Sequence, residues 1–226
     1  MRSDELKTTC LLDISHSIAG DALSKCEYPW EILPEIKDLA LSLGASLPAG
    51  EYVCPSPDIW IHNTATVAPT ASITGPCIIG PGTEVRQCAF IRGSAIIGAN
   101  CVIGNSTEVK NAIIFDNVQV PHFNYVGDSV LGYKSHFGAG AVTSNVKSDR
   151  TLVKVKCDDL TIETGRKKFG AMVGDHVEVG CNTVLNPGTV IGRNTNIYPL
   201  SCVRGAIPSD SIYKSESKIV IKRSDI

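Results

Sequence analysis

No stretch of this chain approaches the roughly 18 consecutive apolar residues of a membrane span, so no membrane partner is expected. Charge of one sign is missing too. The 21 Lys and Arg against 23 Asp and Glu leave a net charge of −2, which predicts no broad attraction to nucleic acid or to an acidic membrane surface. The opening Met1-Arg2-Ser3-Asp4-Glu5-Leu6-Lys7 has no apolar core behind it, so a secretory leader is not expected and a cytoplasmic location is. The cysteines are nine in number, with no CxxC pair. They read as reduced thiols, and no metal-ligand spacing appears, so no metal is expected. The hydrophobic share of 43% is ordinary, and 226 residues suffice for one large domain with a small appendage.

What is present is a period of six. Ile61, Val67, Ile73, Ile79, Val85, Ile91, Ile97, Ile103 and Val109 are all β-branched. Four residues after the first eight stand Ala65, Ala71, Cys77, Thr83, Ala89, Ala95, Cys101 and Thr107, all small. The series returns as Val173, Val179, Leu185, Ile191, Ile197 and Val203. Six matches neither an amphipathic helix nor an alternating strand. It suits a solenoid of short strands, with the aliphatic residue inward and the small one at a crowded corner. Gly80, Gly98, Gly104, Gly132, Gly174, Gly180 and Gly192 mostly follow the aliphatic position, where unusual turn dihedrals are expected.

The register slips by one residue at Val109 to Ile114 and again at Val126 to Leu131, and the pattern stops between Asn145 and Val173. Within that gap, an arm over 146–170, two alternating runs (152–156 and 160–164) flank Cys157-Asp158-Asp159 and predict a β-hairpin. Residues 1–56 differ in character. Ile32, Ile36, Leu39 and Leu43 predict an amphipathic helix from Trp30 to a Gly44 cap, placed to cover the open first coil, with recruitment of a partner as the alternative role. A polar tail occupies 208–226, ending as an extended strand or remaining mobile. Gly80-Pro81-Gly82-Thr83-Glu84-Val85-Arg86 looks superficially like a nucleotide loop. It falls inside the unbroken hexads, however, and is read as coil corners.

The hexads resemble the hexapeptide-repeat acyltransferases. That resemblance implies a triangular left-handed parallel β-helix over 57–207, three hexads per coil, and a homotrimer; another β-solenoid is the alternative. More specific are Pro121-His122-Phe123-Asn124-Tyr125-Val126-Gly127-Asp128-Ser129 and Phe137-Gly138-Ala139-Gly140-Ala141-Val142-Thr143-Ser144-Asn145, with Ile91-Arg92-Gly93 and Glu108-Val109-Lys110-Asn111 upstream. Together they resemble the acetyltransferase domain of bifunctional N-acetylglucosamine-1-phosphate uridyltransferase/glucosamine-1-phosphate acetyltransferases. Gly165-Arg166-Lys167-Lys168 and the hairpin bring the likeness closer to the archaeal sugar-1-phosphate nucleotidyltransferase type.

The resemblance implies acetyl-CoA as co-substrate and an amino-sugar phosphate as acceptor. His122 then matches the general base, a role suited to an imidazole that titrates near neutrality. Arg92 and Lys110 match residues holding the phosphorylated sugar, Tyr125 a substrate-contacting tyrosine, and Asn145 an asparagine that orients the nucleophile or steadies the oxyanion. His136 stands where the bacterial enzymes have a pocket asparagine. Ala139, Cys181 and Pro199 match cofactor-lining positions. On residue type alone, His122 reads as readily as a turn histidine, Arg92 and Lys110 as solvated charges, and Cys77 and Cys101 as packing groups. The nucleotidyltransferase domain of the bifunctional enzymes has no counterpart in this sequence. A second reading is therefore a non-catalytic module that binds a sugar nucleotide or a separate nucleotidyltransferase.

Overall fold

Most hexads become one short strand followed by a residue of left-handed backbone. Cys88, Ser94, Asn100 and Ser106, six apart, have φ between +53° and +59°. The computed structural model describes residues 1–215 and 218–222. Its strands stack in parallel on three faces of a left-handed β-helix of about nine turns. Face one carries Ile59–His62, Cys77–Ile79, Ala95–Ile97, the ends of Glu108–Ile114 and Tyr125–Leu131, then Ala171–Val173, Thr189–Ile191 and Ala206–Ile207. Face two runs from Thr66–Val67 through Gln119–His122 and His136–Phe137 to Ser211–Ser215. Face three runs from Ser72–Ile73 through Phe90–Ile91, the beginnings of Glu108–Ile114 and Tyr125–Leu131, and Val142–Thr143 to Cys202–Val203.

The two register slips have a structural counterpart. Glu108–Ile114 and Tyr125–Leu131 pass from face three to face one as single strands, pairing Val109 with Val126 and Ala112 with Ser129. Asn111 and Asp128 take the left-handed conformation inside these strands, at φ +47° and +49°. Asn and Asp tolerate it because their short polar side chains bond locally.

Face one is apolar on both sides. Ile79, Ile97 and Ile114 point inward; Ile78, Ile96, Ile113 and Val130 alternate outward, yet all are fully buried. Residues 1–46 cover them. Helices α1 (Thr8–Leu11) and α2 (Gly20–Leu23) and a 3₁₀ turn at Pro29–Ile32 lead into α3 (Ile36–Ser46), which packs on the face-one strands 77–79, 95–97 and 108–114. Each outward side chain so buried contributes about 1.5–3 kcal/mol. The segment climbs the flank: Asp13 N–H donates to Asp175, His16 accepts from Asp116 N–H, and Gly44 reaches Trp60.

Several expectations are corrected here. The helix does not start at Trp30, because Pro34 removes a donor and separates the 3₁₀ turn from α3. Gly44 lies inside the helix and not at its cap; a Cβ there would stand 2.3 Å from the Trp60 indole. The helix runs along face one rather than over the open first coil, whose edge is paired instead by Tyr52–Val53, antiparallel to Ile59–His62. The solenoid also continues past 207: Ile212 and Tyr213 pair with Asn196 and Ile197, and Lys218–Ile221 folds back on them. The rest of the tail lies outside the described residues. Finally, none of the seven glycines expected to supply unusual dihedrals has a positive φ. They mark close approach between coils: a Cβ on Gly104 would stand 1.6 Å from the Pro121 carbonyl oxygen.

The expected hairpin is present, with Val153–Lys156 antiparallel to Thr161–Arg166. Val153 and Val155 are fully buried, and Phe169 seals the root of the arm against Trp30 at 5.8 Å. No helix among the described residues is long and apolar enough to cross a membrane.

Candidate functional site

Face three and its two bordering corners hold most of the expected site residues. The second corner, between faces two and three, begins with His122. Its backbone is pinned by Asn124, which is almost fully buried: Asn124 Oδ1 accepts the His122 N–H at 3.1 Å, and its Nδ2 donates to the Gly138 and Ala141 carbonyls at 2.9 and 3.0 Å. Every polar atom of this amide is thus used to shape the turn. The ring itself is exposed, and among the described residues no hydrogen bond reaches it. Below His122 the same corner stacks Ala139, Cys181 and Pro199. Gly140 N–H donates to His122 O, Asn182 N–H to Ala139 O, and Leu200 N–H to Cys181 O. The three expected cofactor positions therefore form one column beneath the expected base.

The outer surface of face three carries the second group. Arg92 donates to Glu108 at 2.6 Å and lies over the Phe90 ring at 5.9 Å. Tyr125 occupies the rung next to Glu108. Its phenol is held above the usual tyrosine range, chiefly by burial and then by the charges of Asp128 and Glu108. At neutral pH it keeps its proton, and it already accepts from Asn145 Nδ2 at 3.2 Å. Its O–H remains available to donate to a ligand. His122 and Tyr125 are three residues apart, within about 10 Å of chain.

At the third corner Asp128, 5% exposed, ties the group together. Its Oδ2 accepts Asn145 Nδ2 at 2.5 Å and its Oδ1 accepts Asn111 Nδ2 at 2.9 Å. Asn111 also donates to Leu33 O, linking the corner to the N-terminal segment. A cavity of about 330 Å³ opens here, lined by Asn111, Asp128, Leu33 and the arm's Arg166, Lys167 and Lys168.

Arg92, Tyr125 and Asn145 are thus brought together, with Lys110 on the rung beside Gly127 and His122 at the near corner. His136 is not part of this group. It lies on face two, around the second corner from Tyr125, with Nδ1 2.8 Å from Glu178. Sequence reasoning assigned no role to Asn124 or Asp128. Both stand inside the quoted motif, and the small polar residues at corner spacing were the available signal. Cys77 and Cys101 are packing groups, their thiols pushed up to about 12 by burial. Among the described residues no group of three or more His, Cys, Asp or Glu is placed to hold a metal ion.

The fold and corner chemistry define a hexapeptide-type left-handed β-helix. Residues 73–166 match the family described as the GMPPB C-terminal domain. The chain is 37% identical over 105 residues to a bifunctional sugar-1-phosphate nucleotidylyltransferase/acetyltransferase of Sulfurisphaera tokodaii, covering 46% of this chain and 26% of that protein. It is 35% identical over 116 residues to the bifunctional protein GlmU of Methanococcus vannielii, covering 51% and 28%. Over its middle the chain is therefore similar to these proteins, and the match spans little more than a quarter of their length. Among solved structures, the acetyltransferase domain of PglB from Neisseria gonorrhoeae in complex with acetyl coenzyme A aligns with 84% of this chain and 65% of its own, at 18% identity and a TM-score of 0.39.

Proposed function

We propose that this chain is an acetyl-CoA-dependent N-acetyltransferase acting on an amino-sugar phosphate such as glucosamine-1-phosphate, working as a homotrimer. The observation that carries the reading is the contiguous set Arg92, Tyr125, Asn145 and Asp128 on one face, with His122 one short strand away. The sugar phosphate lies against Arg92 and Lys110, its amine near Asn145 and the Tyr125 hydroxyl. The thioester comes up the second corner along Pro199, Cys181 and Ala139. The amine nitrogen bonds to the thioester carbon, His122 takes the amine proton, and the tetrahedral centre collapses as the C–S bond breaks and coenzyme A leaves. Holding both reactants supplies much of the acceleration.

The test is thiol release from acetyl-CoA with glucosamine-1-phosphate as acceptor. Substituting His122→Ala is expected to lower turnover by about 10²–10⁴-fold while the folded assembly persists. Turnover equal to wild type would remove His122 from the mechanism. One observation favours the second reading, a non-catalytic sugar-nucleotide-binding module: only the backbone of His122 is pinned, and among the described residues no hydrogen bond reaches its ring to fix the tautomer a general base needs. Retained ligand binding with no coenzyme A release across a panel of amino sugars is the outcome that reading expects.

A further inference from the structure

Below Asn145 the arm and the third corner enclose a second, larger cleft of about 600 Å³ that none of the expected site residues line. Four cations surround it: Lys147, Lys154, Lys156 and Arg204. No carboxylate is among its lining residues, in a chain whose net charge is −2. Lys154 and Lys156 project from the same side of the arm strand, because the alternate Val153 and Val155 are buried against the coils. The cationic wall is thus anchored. Lys147 and Lys154 each touch an exposed carboxylate, Asp149 at 3.3 Å and Glu163 at 2.6 Å. Exposed pairs of this kind hold weakly and yield to a stronger anion. Among the described residues nothing pairs with the Lys156 or Arg204 side chain. The floor is polar: Ser144 and Asn186 stand on adjacent coils, with Ser144 N–H bonded to Leu185 O and Asn186 N–H to Val203 O.

We propose that this cleft is a binding site for the pyrophosphate of a nucleotide. Four cations with no lining carboxylate suit a ligand carrying two or more negative charges, and guanidinium and ammonium groups recognise phosphate oxygens directly. The volume lies in the range that holds a small organic ligand, and the exposed side chain of Val146 offers an apolar patch for a base. The cleft also adjoins the site above through the chain itself. Ser144 lines it and is followed by Asn145, which bonds Tyr125 and Asp128. A nucleotide held here directs its remaining portion along face three. Two ligands share this chemistry: a sugar-linked nucleoside diphosphate, and the ADP part of coenzyme A. The proposal extends the acetyl-transfer reading but does not require turnover.

Calorimetric titration of the full chain with UDP, coenzyme A, inorganic pyrophosphate and pantetheine tests it. Saturable binding of UDP or coenzyme A is expected, competed by pyrophosphate and weakening as salt is raised. The double substitution Lys156→Gln/Arg204→Gln, at two exposed positions, is expected to weaken that binding about tenfold or more, leaving any pantetheine binding unchanged. Selective loss of UDP identifies a sugar nucleotide; selective loss of coenzyme A identifies the cofactor. His122→Ala is expected to bind either probe as wild type does, which separates this site from the proposed chemistry. Absence of saturable binding by both UDP and coenzyme A, or wild-type affinity in the folded double variant, overturns the proposal.

Discussion

Asp128 shows how much one buried carboxylate organises. Each of its oxygens accepts a side-chain amide, one from the coil before and one from the root of the arm. An amide in its place offers one acceptor and one donor, so either Asn111 or Asn145 would meet an N–H instead of an oxygen. Substituting Asp128→Asn is therefore expected to cost about 1–3 kcal/mol of stability, the range for an unsatisfied buried donor. If Asn145 positions the amine, acetyl transfer should fall as well. Denaturant unfolding of both proteins measures the first effect and thiol release the second; a variant as stable as wild type would mean that the carboxylate is not the organising acceptor.

At the scale of elements, the N-terminal segment and the arm hold each other. Trp30 is buried between Tyr28, stacked at 4.6 Å, and Phe169 at the arm root. At the arm tip Asp159 accepts from the backbone and hydroxyl of Ser3 at 2.9 and 2.8 Å. Trp30→Ala is expected to cost about 3–5 kcal/mol and to expose residues 1–46 to limited proteolysis before the β-helix melts; unchanged protease resistance would show that the two elements are fastened elsewhere. Much of this was legible. The hexad anchors and the hairpin follow from local periodicity, because each side chain contacts its counterparts one coil away. The slips at Val109 and Val126 were visible too, but not their result, two strands that turn a corner without breaking. The outward column Ile78, Ile96, Ile113 and Val130 lies beside the anchors and was absorbed into their pattern, so the cover over face one went unread. The Ile32 to Ile36 spacing looked helical across Pro34. Of the candidate site, the motif residues were legible by resemblance. The basic cleft was not, since Lys147 and Arg204 are far apart in sequence and meet only through the arm's return.

For the whole molecule, the stacking leaves few ways to associate. Face one is sealed by the chain's own first 46 residues, and short antiparallel strands pair the edges at both ends. A trimer, if formed, would therefore use faces two and three or an uncovered corner, and the corner between those two faces is the apolar one. That corner presents Phe123, 62% exposed, and Leu200, 80% exposed. Both occupy left-handed backbone, at φ +52° and +59°, which costs a bulky residue about 1–2 kcal/mol. Bulky apolar groups held there in water stabilise nothing in the single chain, and burying them between subunits offsets the strain. Asparagine accepts this conformation readily, so Phe123→Asn/Leu200→Asn leaves the isolated coil as stable as before or slightly more so. The expected result by light scattering is a trimer for the wild type and a monomer for the double variant, with unchanged circular dichroism and thermal unfolding not lowered beyond the loss of assembly. A double variant with the wild-type mass would exclude this corner as the contact.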